Sequence, residues 1–185
     1  IKQISKKKFF KGLKFSNLPI LMGVLNLTPN SFSDGGKYNK KNFGELHAKK
    51  LIRDGCGILD IGGEATNPGS REVPLDEEWK RIFPTLSKIK KLKKFTSLDT
   101  RKSIIMERGI NNNINLVNDV SGLNHDTNTI NVLKDTNIPF VIHHMQGVPS
   151  TMQKNPKYGN VILDIYDFFE KKLKYTQSEK NLGLC

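Results

Sequence analysis

The chain reads as an α/β protein built on parallel strands, and three features of the sequence say so. Five short apolar runs each end in polar residues, stretches with helical spacing separate them, and the order strand then helix repeats five times. Strands that alternate with helices in this way run parallel, because each helix carries the chain back across the sheet. The pattern leaves open whether the sheet is open or closed on itself. In both cases the functional groups belong at the carboxyl ends of the strands, where loops leave toward the helices.

The apolar runs cover residues 20–25, 57–61, 95–98, 114–117 and 138–142. The helical stretches cover about 43–54, 76–93, 102–111, 128–137 and 160–175. In the second helix Leu75, Trp79, Ile82, Phe83, Leu86, Ile89 and Leu92 recur every three or four residues and form one core-facing stripe. Asp76, Glu77 and Glu78 at its start and Lys88, Lys90, Lys91 and Lys93 at its end complement the helix dipole, and Pro84 is expected to kink it. The last helix carries a similar stripe of Val161, Ile162, Ile165, Phe168, Phe169 and Leu173, read as packing.

A chain of 185 residues buries one good core. Its formal net charge of +12 suggests nucleic acid as a partner, but the basic residues speak against one. Arg53, Arg71, Arg81, Arg101 and Arg108 are the only arginines among 30 basic residues, and the lysines are scattered over helix surfaces. No basic segment is interleaved with aromatics as a stacking platform requires. Abundant Lys, Asn and Ile instead carry the mark of an AT-rich genome. No apolar run approaches the roughly 18 to 20 residues of a membrane helix, so no membrane partner is expected. Cys56 and Cys185 lack metal-ligand spacing and fit a reducing, cytoplasmic setting. Residues 1–18 read as a lead-in segment or hairpin and 19–185 as the domain itself. The opening segment is basic, free of acids and begins with Ile, so the true start is expected to be missing or removed.

The polar strand ends are the functional signal. The first run empties at Asn26 into a loop holding Thr28, Asn30, Ser31, Phe32, Ser33, Asp34, Gly35 and Gly36. The second carries Asp60 and then Gly62, Gly63, Glu64, Ala65, Thr66, Asn67, Pro68 and Gly69. The others end in Asp99 and Thr100, in Asn118 and Asp119, and in His143, His144, Met145, Gln146 and Gly147. Buried strands that end five times in carboxylates, carboxamides and imidazoles point to a shared ligand. His143 and His144 lack a third metal ligand.

The segments MGVLNLTPNSFSDGG, LDIGGEATNPG, SLDTRK, LVNDVSG and HMQG, in this order, resemble the dihydropteroate synthase family. The resemblance covers residues 20–175 and implies a TIM (β/α)8-type barrel of which about the first five βα units are present. It implies condensation of 6-hydroxymethyl-7,8-dihydropterin diphosphate with p-aminobenzoate to give 7,8-dihydropteroate and diphosphate, by departure of diphosphate before attack of the arylamine. Asn26 then matches the metal position, as a Mg2+ and diphosphate ligand, and Thr66 lies near the diphosphate. Asp99 and Asn118 match pterin-binding positions, with Met145 as a stacking wall. Phe32, Ser33, Asp34 and Pro68 match mobile loops that close over p-aminobenzoate and its sulfonamide mimics. A homodimer is implied for the full-length protein.

Departures from the family pattern are equally specific. In the second loop G-G-E-S-T-R-P becomes a segment in which Ala65 replaces Ser and Asn67 replaces Arg, and Asn30 stands where Asp is usual. A neutral amide does not replace a guanidinium fork. The later D-P-G-F-G-x-G-K, S-R-K and R-x-H segments have no counterpart, so the sequence is expected to be a fragment or a decayed copy. The alternatives are an inactive remnant that binds pterin weakly and a related folate-dependent methyltransferase barrel.

Overall fold

The computed structural model describes residues 9–10, 13–14, 19–28, 42–134 and 136–178. Phe9–Phe10 (β1) and Leu13–Lys14 (β2) pair antiparallel. Five further strands follow: Met22–Asn26 (β3), Ile58–Gly62 (β4), Phe95–Asp99 (β5), Leu116–Asp119 (β6) and Phe140–Ile142 (β7). They form one parallel sheet in the order β3-β4-β5-β6-β7. Helices Phe43–Arg53 (α1), Leu75–Ile89 (α2), Ser103–Asn111 (α3), Thr129–Lys134 (α4) and Val161–Ser178 (α5) alternate with them.

The strand order decides between a doubly wound sheet and barrel-type winding. A doubly wound sheet reverses the side on which strands are added, and here every crossover adds the next strand on the same side. That is the winding of a TIM-type barrel, with five βα units described. Four of the expected strands begin one or two residues later than the apolar run; before β6 and β7, Ile114 and Ile138 pack into the core from the preceding turn, ahead of the ladder.

Alternation along each strand separates two cores. Leu25, Leu59, Ile61, Leu98, Val117 and Phe140 point outward and pack with Ile82, Leu86 and Ile89 of α2, Ile105 and Met106 of α3, and Ile130 and Leu133 of α4. Ile58, Phe95 and Leu116 point inward and pack with Leu13, Ile20 and Val141, closing the amino end of the sheet with an apolar floor. The lead-in segment thus contributes Leu13 to that floor. Met22 and Val24 share the inward side of β3 and are exposed there.

Helix α2 forms because Ile82, Leu86 and Ile89 of its stripe meet the outward face of the sheet, whereas Phe83, expected on the same stripe, is exposed. It runs on through Pro84 and passes into a 3-10 turn over Lys90–Leu92, which ends at the left-handed Lys93 (φ 51°). Helix α5 departs from its expected packing: Ile165, Phe168, Phe169 and Leu173 are half-buried, whereas Val161 and Ile162 are 50% and 75% exposed. No described element covers that first turn. Among the described residues, no helix is long and apolar enough to cross a membrane.

Candidate functional site

The register places one row of inward residues at the carboxyl end of the sheet. Asn26 lies opposite Gly62, Gly62 opposite Asp99, and Asp99 opposite Asn118. Val141 lies opposite Asn118, so His143, two residues on, continues the inward side of the fifth strand. In each case the inward residue directly follows an outward apolar one: Leu25–Asn26, Ile61–Gly62, Leu98–Asp99, Val117–Asn118 and Ile142–His143. That parity is legible in the sequence and would have added His143 to the candidate residues.

Gly62 keeps the middle of this row open. A Cβ there would sit 3.5 Å from both Asn26 Oδ1 and Asp99 Oδ2, filling the space between the two side chains. One layer lower, Asp60 Oδ2 accepts from Asn118 Nδ2 at 3.0 Å, and Asn118 Oδ1 lies 2.7 Å from His143 Nε2. The carboxamide oxygen only accepts, so Nε2 carries the proton, and the two contacts together set the orientation of Asn118. Sequence reading placed Asp60 on its strand without giving it this role, because its partner lies 58 residues away.

Three buried polar atoms of this interior lack a hydrogen-bond partner among the described residues: Asp60 Oδ1, Ser97 Oγ and Asp99 Oδ1. Unsatisfied buried acceptors are costly, and their concentration inside the sheet marks a place built for donors. Burial, followed by the carboxylates of Asp60, Asp119, Glu78 and Glu64, pushes the Asp99 carboxyl up to about 8. Asp99 does not cap the helix that follows its strand. The backbone N–H of Ser103 at the start of α3 donates instead to Asp126 Oδ2 at 2.8 Å. Burial opposes the charge of Asp126, but its bonds to Ser103 and Asn128 outweigh that and hold its carboxyl below the usual range. Replacing Asp126 with Ala is expected to cost about 1 kcal/mol in urea unfolding through the lost cap.

Beside the row, Asn26, Thr28, Ala65, Asn67, Pro68, Gly69, Ser70, Arg71, Val73 and Arg81 line an open cavity of about 670 Å³. Its cationic groups are Arg71 and Arg81, so two guanidinium groups stand close to the position where Asn67 lacks one. Arg81 donates from Nη1 to Gly63 O at 2.9 Å and pairs with Glu77, whereas no ion pair holds Arg71 among the described residues. The structure therefore joins Asn26 and Pro68 on one cavity and Asp99 and Asn118 in the adjoining row. Thr66 is half-buried in the same loop but is not on the cavity wall. Met145 is half-buried in the segment after β7. Phe32, Ser33 and Asp34, and Asn30 with them, lie outside the described residues. His144 packs edge-on against Phe168 with ring centres 4.9 Å apart.

The turn after β6 supports the row from outside. Asp119 Oδ1 accepts from the backbone N–H and hydroxyl of Ser121, and Oδ2 accepts from Leu123 N at 2.9 Å. These bonds hold Gly122 (φ 61°) and Leu123 (φ 64°) in left-handed conformations. Among the described residues, no group of three or more His, Cys, Asp or Glu could hold a metal ion.

Comparison with known proteins agrees with this geometry. The family described as pterin binding enzyme matches residues 22–180. Dihydropteroate synthase of Neisseria meningitidis serogroup B is 40% identical over 156 residues, which is 83% of this chain and 55% of that protein. The Bacillus subtilis dihydropteroate synthase is 41% identical over 174 residues, 94% of this chain and 60% of that protein. Among solved structures, Yersinia pestis dihydropteroate synthase in complex with a sulfonamide drug superposes with a TM-score of 0.85 at 32% identity, covering 95% of this chain and 65% of that one. Burkholderia cenocepacia dihydropteroate synthase complexed with 7,8-dihydropteroate gives 0.80 at 32% identity, covering 94% and 59%. The chain spans little more than half the length of the curated relatives it matches. With the matched segment running through nearly all of its barrel units, the chain belongs to the family of pterin binding enzymes.

Proposed function

We propose that the complete polypeptide is a dihydropteroate synthase of folate biosynthesis. It would condense 6-hydroxymethyl-7,8-dihydropterin diphosphate with p-aminobenzoate to give 7,8-dihydropteroate and diphosphate. The observation that carries this reading is the inward row of Asp99 and Asn118, with unpartnered acceptors at Asp99 and Asp60. The pterin edge presents an exocyclic amine and ring nitrogens, and a carboxylate beside an oriented carboxamide complements such an edge.

The chain's own groups account for binding and orientation. Asp99 and Asn118 would hold the heterocycle flat against the row, with Asp60 and His143 keeping the Asn118 amide turned to it. The diphosphate would lie toward Asn26, Thr28 and Arg71 in the adjoining cavity, where positive charge favours a leaving anion. The bond from the pterin methylene carbon to the diphosphate oxygen breaks, and a bond from that carbon to the arylamine nitrogen forms with loss of the amine proton. Such a reaction asks the protein to place two substrates and exclude water, which agrees with a site rich in acceptors.

Magnesium fits as an ion brought with the diphosphate. The Asn26 side-chain oxygen has no hydrogen-bond partner among the described residues and faces the gap that Gly62 leaves open. One neutral oxygen suits Mg2+ that keeps its waters and phosphate ligands, where it would neutralise charge on the leaving group. For the complete polypeptide we extend the reading to a homodimer in the cytoplasm.

The test is substrate coupling. Diphosphate release from the pterin substrate should depend on p-aminobenzoate and match dihydropteroate formation one for one. Release at the same rate without the arylamine would contradict the assignment.

A further inference from the structure

We propose that Glu64 and Lys102 are positioning residues for the second loop, fastening both of its ends beside the cavity. The identity of the cavity's ligands rests on the reading above.

Glu64 begins the loop at the end of β4, and Val73 closes it just before α2. The backbone N–H of Val73 donates to Glu64 Oε2 at 2.7 Å, so one carboxylate spans the two ends. Lys102, just beyond the end of β5, donates its three ammonium protons to three acceptors: Glu64 Oε2 at 2.6 Å, Glu78 Oε2 at 2.6 Å and Val73 O at 2.5 Å. Arg101 Nε donates to Glu64 Oε1 at 2.7 Å, and the Thr100 hydroxyl donates to Glu78 Oε1 at 2.7 Å. Two cations face two carboxylates, all four side chains 6% exposed or less, so neither water nor salt competes for the pairing. Burial opposes the charge of Glu64, yet its bonds to Arg101, Lys102 and Val73 outweigh that and hold its carboxyl below the usual range.

The remainder of the loop is tied as well. Arg101 Nη1 lies 3.1 Å from His125 Nδ1, which must accept, so the ring proton sits on Nε2 facing Glu72 Oε1 at 3.4 Å. At the loop tip, Gly69 N donates to Pro149 O at 3.0 Å, beyond the fifth strand. The loop thus crosses from β4 to the segment after β7, and its ends are set by the same T-R-K residues that follow Asp99. A surface ion pair would contribute little to such placement. A buried, fully hydrogen-bonded one selects a single arrangement, because breaking any link strands a charge.

The exposed Arg71 provides a probe of the loop. In the full chain, the rate of tryptic cleavage at Arg71–Glu72, read by mass spectrometry, should rise at least tenfold in Lys102→Met. Cleavage at the exposed Arg53 should stay within twofold of the parent. If Lys102→Met fails to fold, Lys102→Met with Glu78→Gln carries the same test, since it removes the cation together with one facing carboxylate. Calorimetry adds a readout that stability alone would not move. Affinity for inorganic diphosphate, seated under the loop, should fall at least tenfold, while affinity for 6-hydroxymethyl-7,8-dihydropterin, seated on Asp99 and Asn118 and read at pH 9 where Asp99 is ionised, should stay within twofold. Unchanged cleavage at Arg71, or equal loss of both affinities, would overturn the proposal. A parent chain that bound neither ligand would count against the functional reading alone, and cleavage at Arg71 would still decide the positioning role.

Discussion

Replacing Asp99 with Asn should make the protein more stable at neutral pH and weaken its hold on the proposed pterin ligand. The carboxyl titrates at about 8 in the fold because it is buried among Asp60, Asp119, Glu78 and Glu64, whereas an ordinary carboxyl titrates near 4. Between those values the unfolded chain has lost the proton and the folded one keeps it, so stability falls as pH rises, by up to about 1.4 kcal/mol per pH unit. Above about 8 both states are ionised and the penalty stays constant. Asn removes the slope. Urea unfolding at pH 5 and pH 8 should show the variant's advantage growing with pH, and equal advantages at the two pH values would contradict the assigned cause. Binding should move the other way: a carboxamide offers one acceptor where the ligand's donors meet two, and affinity for 6-hydroxymethyl-7,8-dihydropterin should fall about 10- to 100-fold. A residue that weakens the empty fold and is needed only by the ligand is what a binding site leaves behind.

Gly122→Ala is expected to be the most damaging single methyl group among the described glycines. Its backbone is left-handed (φ 61°), and an added Cβ would lie 2.2 Å from the carbonyl oxygen of His143 and 2.9 Å from Phe168 Cζ. Backbone cannot swing aside as a flexible side-chain end can, so β6 and the segment after β7 must separate. Together with the left-handed penalty this should cost about 3 kcal/mol or more in chemical unfolding. Ligand affinity should fall too, because the displaced His143 no longer holds the Asn118 amide. A loss below about 1 kcal/mol would mean that the contact is not tight in solution.

What the sequence disclosed and what it hid divide along physical lines. The five strands, the helices between them and the polar strand ends follow from periodicities of two and three to four residues, which are local. Strand order is not local; periodicity left it open, and in the structure it excludes a doubly wound sheet. Glu78 shows how a correct local reading can be incomplete. It does sit in the acidic first turn of α2, but it is 1% exposed and pairs with Lys102, 24 residues on. Asp60 was visible as a polar residue in an apolar run, though not as the partner of Asn118. His143, set aside as a metal ligand, faces inward just beyond the row by simple alternation from Ile142. The stripe of α5 misled at Val161 and Ile162, since apolar spacing states which face can be covered and not whether anything covers it.

The most direct measurement is calorimetric titration of the protein with 6-hydroxymethyl-7,8-dihydropterin at pH 6, 7, 8 and 9, in buffers of differing ionisation enthalpy. If ionised Asp99 receives the ligand's donors, affinity should rise about tenfold per pH unit up to about 8 and then level off, with close to one proton released on binding at pH 6 and 7. Binding that is independent of pH and releases no proton would contradict the placing of the pterin on Asp99.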